Sequence, residues 1–199
     1  LINNETTVET IVKVEKKQRK PRVKTTEEKS VKKEKVVDTT CLLTKFYHLD
    51  SSIIEIGADE AGRGPMFGRV YSGAVVLPKD DSFDHYKMKD SKKFTSKNNK
   101  KIQEVADYIK ANAIAWAVEY EDERVIDEIN ILQATQTSMR NSILKLKEYV
   151  TQPFTEEEKN ELKFQLLVDG NYFNPITTFN KKRNMIDVIP HVCIEGGDN

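Results

Sequence analysis

Four carboxylates carry the chemistry that this sequence can be read for: the adjacent pair Asp59 and Glu60, then Asp169, then Asp198. The first three end apolar runs, Ile53-Ile54-Glu55-Ile56-Gly57-Ala58 before the pair and Phe164-Gln165-Leu166-Leu167-Val168 before Asp169. Such runs read as strands, and open α/β sheets bind ligands at the carboxyl ends of their strands. Asp198 follows a further apolar stretch after Gly196-Gly197. A cluster of carboxylates repels itself unless cations neutralise it, and an all-oxygen ligand set suits Mg²⁺ or Mn²⁺ better than zinc. In a two-metal site, with ions about 4 Å apart, one ion activates water and the other stabilises a leaving oxygen. That is the chemistry of phosphodiester hydrolysis.

The pair needs a special backbone. Successive side chains of a regular strand point to opposite faces, so Asp59 and Glu60 serve one site only if the strand ends or bends between them. Gly62 and Gly64 allow a bend and leave backbone N–H groups uncovered around Arg63, which suits close approach of a sugar-phosphate backbone. Taken alone, an Asp-Glu pair is more often a tight acidic turn. Lys92 and Lys93, in Asp90-Ser91-Lys92-Lys93, are phosphate contacts or simply an exposed loop before a helix. Asn130 and Gln133 stand where a helix starts, as a nucleic-acid backbone contact or as a cap. His48, His85 and His191 show no spacing of a general base or metal ligand, and Tyr172 reads as a loop cover.

The elements that must position these residues follow from periodicity. Residues 53–59 are the first strand, and Arg69 to Leu77, rich in small and β-branched residues and stopped by Pro78, pairs antiparallel with it. Thr95 caps a helix whose Ile102, Val105, Ala106 and Ile109 form one face. Residues 113–118 are the third strand, and 131–150 form a second helix with Leu132, Thr135, Met139, Ile143 and Leu146 on one side. Thr155 with Glu158 opens a short helix, Phe164 to Val168 is the fourth strand, and Met185 to Ile194 supplies the fifth. The order fits a mixed five-stranded sheet flanked by helices, an α/β protein.

Charge is distributed unevenly. The chain of 199 residues is formally neutral, yet the first 45 residues concentrate lysine and arginine, lack aromatics and show no sustained apolar period. That composition cannot offset the entropy of ordering, so 1–45 is expected to be a disordered Lys/Glu-rich extension. Its run Lys16-Lys17-Gln18-Arg19-Lys20-Pro21-Arg22 reads as a nucleic-acid arm, a nuclear address or a solvated linker. Overall neutrality does not argue against a nucleic-acid partner, because the local field decides. Two cysteines, Cys41 and Cys193, form neither a disulfide framework nor a zinc motif, and no apolar run approaches a membrane span. An intracellular protein is expected, cytoplasmic or nuclear.

The segment Ile56-Gly57-Ala58-Asp59-Glu60-Ala61-Gly62-Arg63-Gly64-Pro65 resembles the signature of type 2 ribonucleases H, the ribonuclease HII family. Lys89-Asp90-Ser91-Lys92-Lys93-Phe94, Ile129-Asn130-Ile131-Leu132-Gln133-Ala134-Thr135, Leu166-Leu167-Val168-Asp169-Gly170 and Glu195-Gly196-Gly197-Asp198 are similar to the later family blocks, in the family order. The resemblance implies a ribonuclease H-like fold. It also implies that Asp59, Glu60, Asp169 and Asp198 are the catalytic metal ligands. Gly62, Arg63 and Gly64 would recognise the ribonucleotide at an RNA–DNA junction, with Lys92, Lys93 and Asn130 as further substrate contacts. The implied reaction cuts the RNA strand of RNA/DNA hybrids and embedded ribonucleotides in duplex DNA, leaving 5′-phosphate and 3′-hydroxyl ends. The implied roles are in replication, repair and RNA catabolism, for a monomer with partner subunits left open.

The family continues beyond its Gly-Asp block with an Ala/Ser-rich helix and a tyrosine that packs on the junction sugar, and neither follows Asp198 here. Residues 46–199 are therefore expected to be a catalytic domain lacking its C-terminal part. Two other readings stay open: another nuclease or polynucleotidyl transferase with the same core, and a catalytically silent hybrid-binding module.

Overall fold

A computed structural model describes residues 45–88, 99–180 and 184–196. Apart from Lys45, the expected N-terminal extension lies outside these residues, as does the Thr95 cap. Strand β1 (Ile53–Ala61) alternates as a half-buried strand must, with Ile56 and Ala58 buried on one face and Gly57 and Asp59 on the other. β2 (Val70–Val76) repeats the pattern with Val70, Ser72, Ala74 and Val76. β1, β2 and β3 (Ala115–Glu121) pair antiparallel, while β4 (Lys163–Asp169) runs parallel to β1. With β7 (His191–Ile194) parallel to β4, the main sheet has the order β3-β2-β1-β4-β7.

Among the described residues, three α-helices connect these strands: α1 (Asn99–Asn112), α2 (Glu123–Thr151) and α3 (Glu156–Glu161). α2 supplies the core. Its Met139, Ile143 and Leu146 recur at helical spacing and pack on Ile56, Ala58, Ala74, Val76, Ala117, Leu166 and Val168 of the sheet. Burying each such large side chain contributes about 1.5–3 kcal/mol. α2 is two helical segments. Asp122 caps the first by accepting from Arg124 N and Val125 N, and the path breaks at Asn130 (φ 69°, ψ 162°). Asn130 Oδ1 then accepts from Leu132 N (3.0 Å) and Gln133 N (3.1 Å), so it restarts the helix at the residue the periodicity predicts. α3 carries the expected capping box, Thr155 with Glu158.

The expected fifth strand is two elements. Met185–Val188 is β6 and pairs with β5 (Thr177–Asn180) in a separate two-stranded sheet, and only His191–Ile194 joins the main one. The chain changes sheets at Ile189-Pro190, where Pro190 has no N–H for a ladder, Ile189 N donates to Ile176 O and Pro190 O accepts from Leu166 N. The third strand begins at Ala115 and reaches Glu121, and the first runs two residues past Asp59. Among the described residues no helix is long and apolar enough to cross a membrane.

A charged group anchors the chain that precedes β1. Glu55 accepts from Tyr47 N (3.2 Å), His48 N (2.6 Å) and Lys79 Nζ (3.0 Å), and Lys79 also donates to His48 O and Asp50 O. Both side chains are mostly buried. Removing one partner strands the other in low dielectric, which costs more than removing both. Glu55→Ala is therefore expected to lower stability by about 2–3 kcal/mol in chemical denaturation. The double variant Glu55→Leu, Lys79→Met should lose less than that, and a larger loss would show that the ion pair itself drives folding.

Candidate active site

The register between β1 and β4 builds the site. Their parallel pairing ends at Ala58↔Val168; β1 then continues against β2, with Asp59 opposite Gly73, and β4 continues against β7, with Asp169 opposite Ile194. Asp59 and Asp169 thus occupy the next position on neighbouring strands, which lie about 4.8 Å apart. Alternation turns both away from the α2 core and onto the other face. There they line one cleft of about 690 Å³ together with Gly57, Gly73, Leu167 and Gly196. The cleft continues over an apolar floor that includes Val75, Trp116 and Val118, beside Ala106 and Ile109 of α1.

Glu60 is placed differently. β1 neither ends nor bends between the two acids; Glu60 and Ala61 still pair with Ser72 and Tyr71, so Glu60 faces the opposite side from Asp59. The expected strand end is therefore corrected to Ala61: the antiparallel partner β2 holds the backbone extended past the point where β4 departs. Asp59 Oδ1 accepts from the Glu60 N–H at 2.6 Å. Arg63 Nη1 donates to Glu60 Oε1 at 3.0 Å, and the Glu60 side chain is largely covered. Among the described residues no three His, Cys, Asp or Glu side chains gather as a metal site. Asp198, Lys92 and Lys93 lie outside the described residues.

The two glycines around Arg63 differ in their demands. Gly62 adopts φ +99°, and a Cβ there would lie 2.6 Å from the Arg69 carbonyl oxygen, so the turn after β1 closes tightly on the start of β2. Around Gly64 a Cβ would meet nothing within 4 Å. Internal packing accounts for Gly62, whereas at Gly64 the backbone is open to whatever approaches from outside. Asn130 is exposed and serves as the internal cap of α2.

The structure adds a residue that sequence reasoning missed. Gln136 on α2 is 7% exposed, donates to Tyr172 O (3.3 Å) and accepts from Asn174 N (2.9 Å), gripping the loop that leaves Asp169. Tyr172 in turn donates its hydroxyl to Asn174 Oδ1 at 2.7 Å. The available signal was a carboxamide one turn before Met139, on the face that packs inward. Buried polar side chains of this kind specify one loop conformation.

A mixed five-stranded sheet in this order, with one helix bedded on one face and an acidic residue from each of two adjacent parallel strands on the other, defines an α/β protein of the ribonuclease H-like class. A profile of "Ribonuclease HII" matches residues 56–182. Ribonuclease HII of Porphyromonas gingivalis is 37% identical over 157 residues, covering 79% of this chain and 63% of that protein. Ribonuclease HII of Bacteroides thetaiotaomicron is 37% identical over 151 residues, covering 76% and 62%. The chain belongs to the ribonuclease HII family, and it spans about three fifths of the length of these curated relatives. Among solved structures, the ribonuclease H2 from Pyrococcus horikoshii aligns with a TM-score of 0.46 at 18% identity, over 72% of this chain and 63% of that one.

The glycine geometry is directly testable. Gly62→Ala should destabilise the protein by about 1–3 kcal/mol, because a side chain at this φ meets backbone that cannot move away. Gly64→Ala should melt within about 0.5 kcal/mol of the parent. Equal melting of the two variants would contradict the tight turn.

Proposed function

We propose that residues 46–199 are the nucleolytic core of an endoribonuclease that cuts the RNA strand of RNA/DNA hybrids and ribonucleotides embedded in duplex DNA. The products carry 5′-phosphate and 3′-hydroxyl ends, and residues 1–45 are a separate basic extension. The observation that supports the reading most is that Asp59 and Asp169, one step past the last paired residues of neighbouring strands, line the same cleft, with Gly62-Arg63-Gly64 following directly on β1.

Hard carboxylate oxygens on adjacent strands fit a divalent cation of the Mg²⁺ or Mn²⁺ kind. Asp59 and Asp169 would hold it, joined by Asp198, and Glu60 would join only once its side chain leaves Arg63 and turns to the face of Asp59. Bound there, such ions supply water activation and stabilisation of the leaving oxygen. The residues do the rest. Arg63 is ion-paired with Glu60, and a phosphate reaching the Gly62-Arg63-Gly64 segment would compete for the guanidinium and release the carboxylate. The open backbone at Gly64 lets N–H and C=O groups reach a 2′-hydroxyl, the group that separates RNA from DNA without reading a base. Lys92 and Lys93 contact phosphates.

One observation favours a second reading, a silent hybrid-binding module: Glu60 is engaged by Arg63, away from the Asp59 and Asp169 pair. Salt-sensitive hybrid binding without metal-dependent cutting distinguishes it.

Asp59→Asn and Asp169→Asn are each expected to reduce cutting of a duplex with one ribonucleotide by on the order of 100-fold or more, with hybrid binding retained. Chelation of divalent ions should abolish the parent's cutting. Gel analysis of an end-labelled substrate reads both effects, and undiminished cutting by either variant would sink the carboxylate assignment.

A further inference from the structure

The face of the sheet that carries Asp59 continues across β2 and β3 and holds an uncovered aromatic and basic cluster. Tyr71 and Tyr120 pair directly across β2 and β3, their rings 5.4 Å apart and inclined at 45°. The Arg69 guanidinium sits 4.3 Å from the centroid of the Tyr120 ring. Register places the group beside the carboxylate. Asp59 pairs with Gly73, and Tyr71, two residues along the same strand, shares its face. Such a diagonal neighbour lies about 7–8 Å away.

A cross-strand aromatic pair by itself stabilises a sheet by a few tenths of a kcal/mol to about 1 kcal/mol. That role needs no arginine and favours cover. Here Tyr71 is 41% and Tyr120 46% exposed, and Arg69 is exposed as well. Arg69 makes no ion pair among the described residues; Glu123, at the start of α2, is the acidic group in electrostatic range. The guanidinium is hydrogen-bonded to the Tyr71 hydroxyl, and its stacking by the face on Tyr120 leaves the remaining in-plane donors for a phosphate, the match for their geometry. Aromatic rings beside it offer flat surface to sugars or bases.

We propose that Arg69, Tyr71 and Tyr120 form a contact surface for the sugar-phosphate backbone of the nucleic acid that enters the cleft, on the β2–β3 side of Asp59. The proposal rests on the nucleolytic reading above and extends it to a named path for the substrate. Arg69 takes a phosphate and the two rings pack against the adjoining sugars.

The test measures binding of a fluorescently labelled RNA/DNA hybrid by anisotropy at several salt concentrations, with cleavage followed in parallel. Arg69→Ala, Tyr71→Ala and Tyr120→Ala should each weaken binding about fivefold or more, and Arg69→Ala should lower the salt slope by about one. Tyr71→Phe, which keeps the ring, should bind like the parent, and Mn²⁺ binding should be unchanged in all. If Tyr120→Ala melts early, Arg69→Gln, which keeps its stem over the ring, carries the comparison. Alanine variants that bind the hybrid with the parent's affinity and salt slope overturn the proposal. Cutting by the parent together with such variants leaves the nuclease standing without this surface. Patch-dependent binding with no cutting by the parent leaves the surface standing without the nuclease, and no hybrid binding at all removes both.

Discussion

The parallel ladder between β1 and β4 is the constraint on which the rest depends. It aligns Ala58 with Val168 in the core and so places Asp59 beside Asp169 one step further on. A slip of one residue would move every side chain of a strand to the other face. Ile56 and Ala58 would then leave the α2 core, and Asp59 would enter it. The apolar contacts of Met139, Ile143 and Leu146 therefore specify the position of two like charges that gain nothing from being together. Burial on one face enforces electrostatic crowding on the other.

Much of this was legible because the signals are local or periodic. Alternation located β1, β2 and β4, helical spacing located the core face of α2, and Thr155 with Glu158 marked α3. Asp169 at the end of β4 was legible for the same reason, whereas β1 runs two residues past Asp59. What was not legible depends on partners distant in sequence. Glu60 faces away from Asp59 because β2 keeps pairing after β4 has departed, and no feature of the Asp-Glu-Ala-Gly run reports where two neighbours separate. The split between β6 and β7 hinges on Pro190, a breaker inside a run whose apolar content reads as continuous. Gln136 is buried because a loop 36 to 38 residues away folds back onto it.

Asn130 shows how one residue can carry a local and a wider role. Within α2 its side chain satisfies two N–H groups that the break exposes, which accounts for its type and its positive φ tolerance. The break lets the first turns of α2, started by Asp122 directly after β3, and the later turns, bedded on the sheet, follow separate directions. Gly62 plays a comparable part between β1 and β2, where the chain must turn within contact of Arg69 O.

Asp59 and Asp169 stand more than a hundred residues apart along the chain, and the β1–β4 ladder brings them together. Contacts of such long sequence separation form late and slowly, because the intervening loop must be closed before they are rewarded. During synthesis the β1–β2–β3 meander and α2 can assemble from nearby segments, while the two acids remain separate until β4 has been made and docked. Any chemistry that needs both consequently waits for the β1–β4 ladder, and a chain in which that ladder has not formed carries the signature loop without the pair.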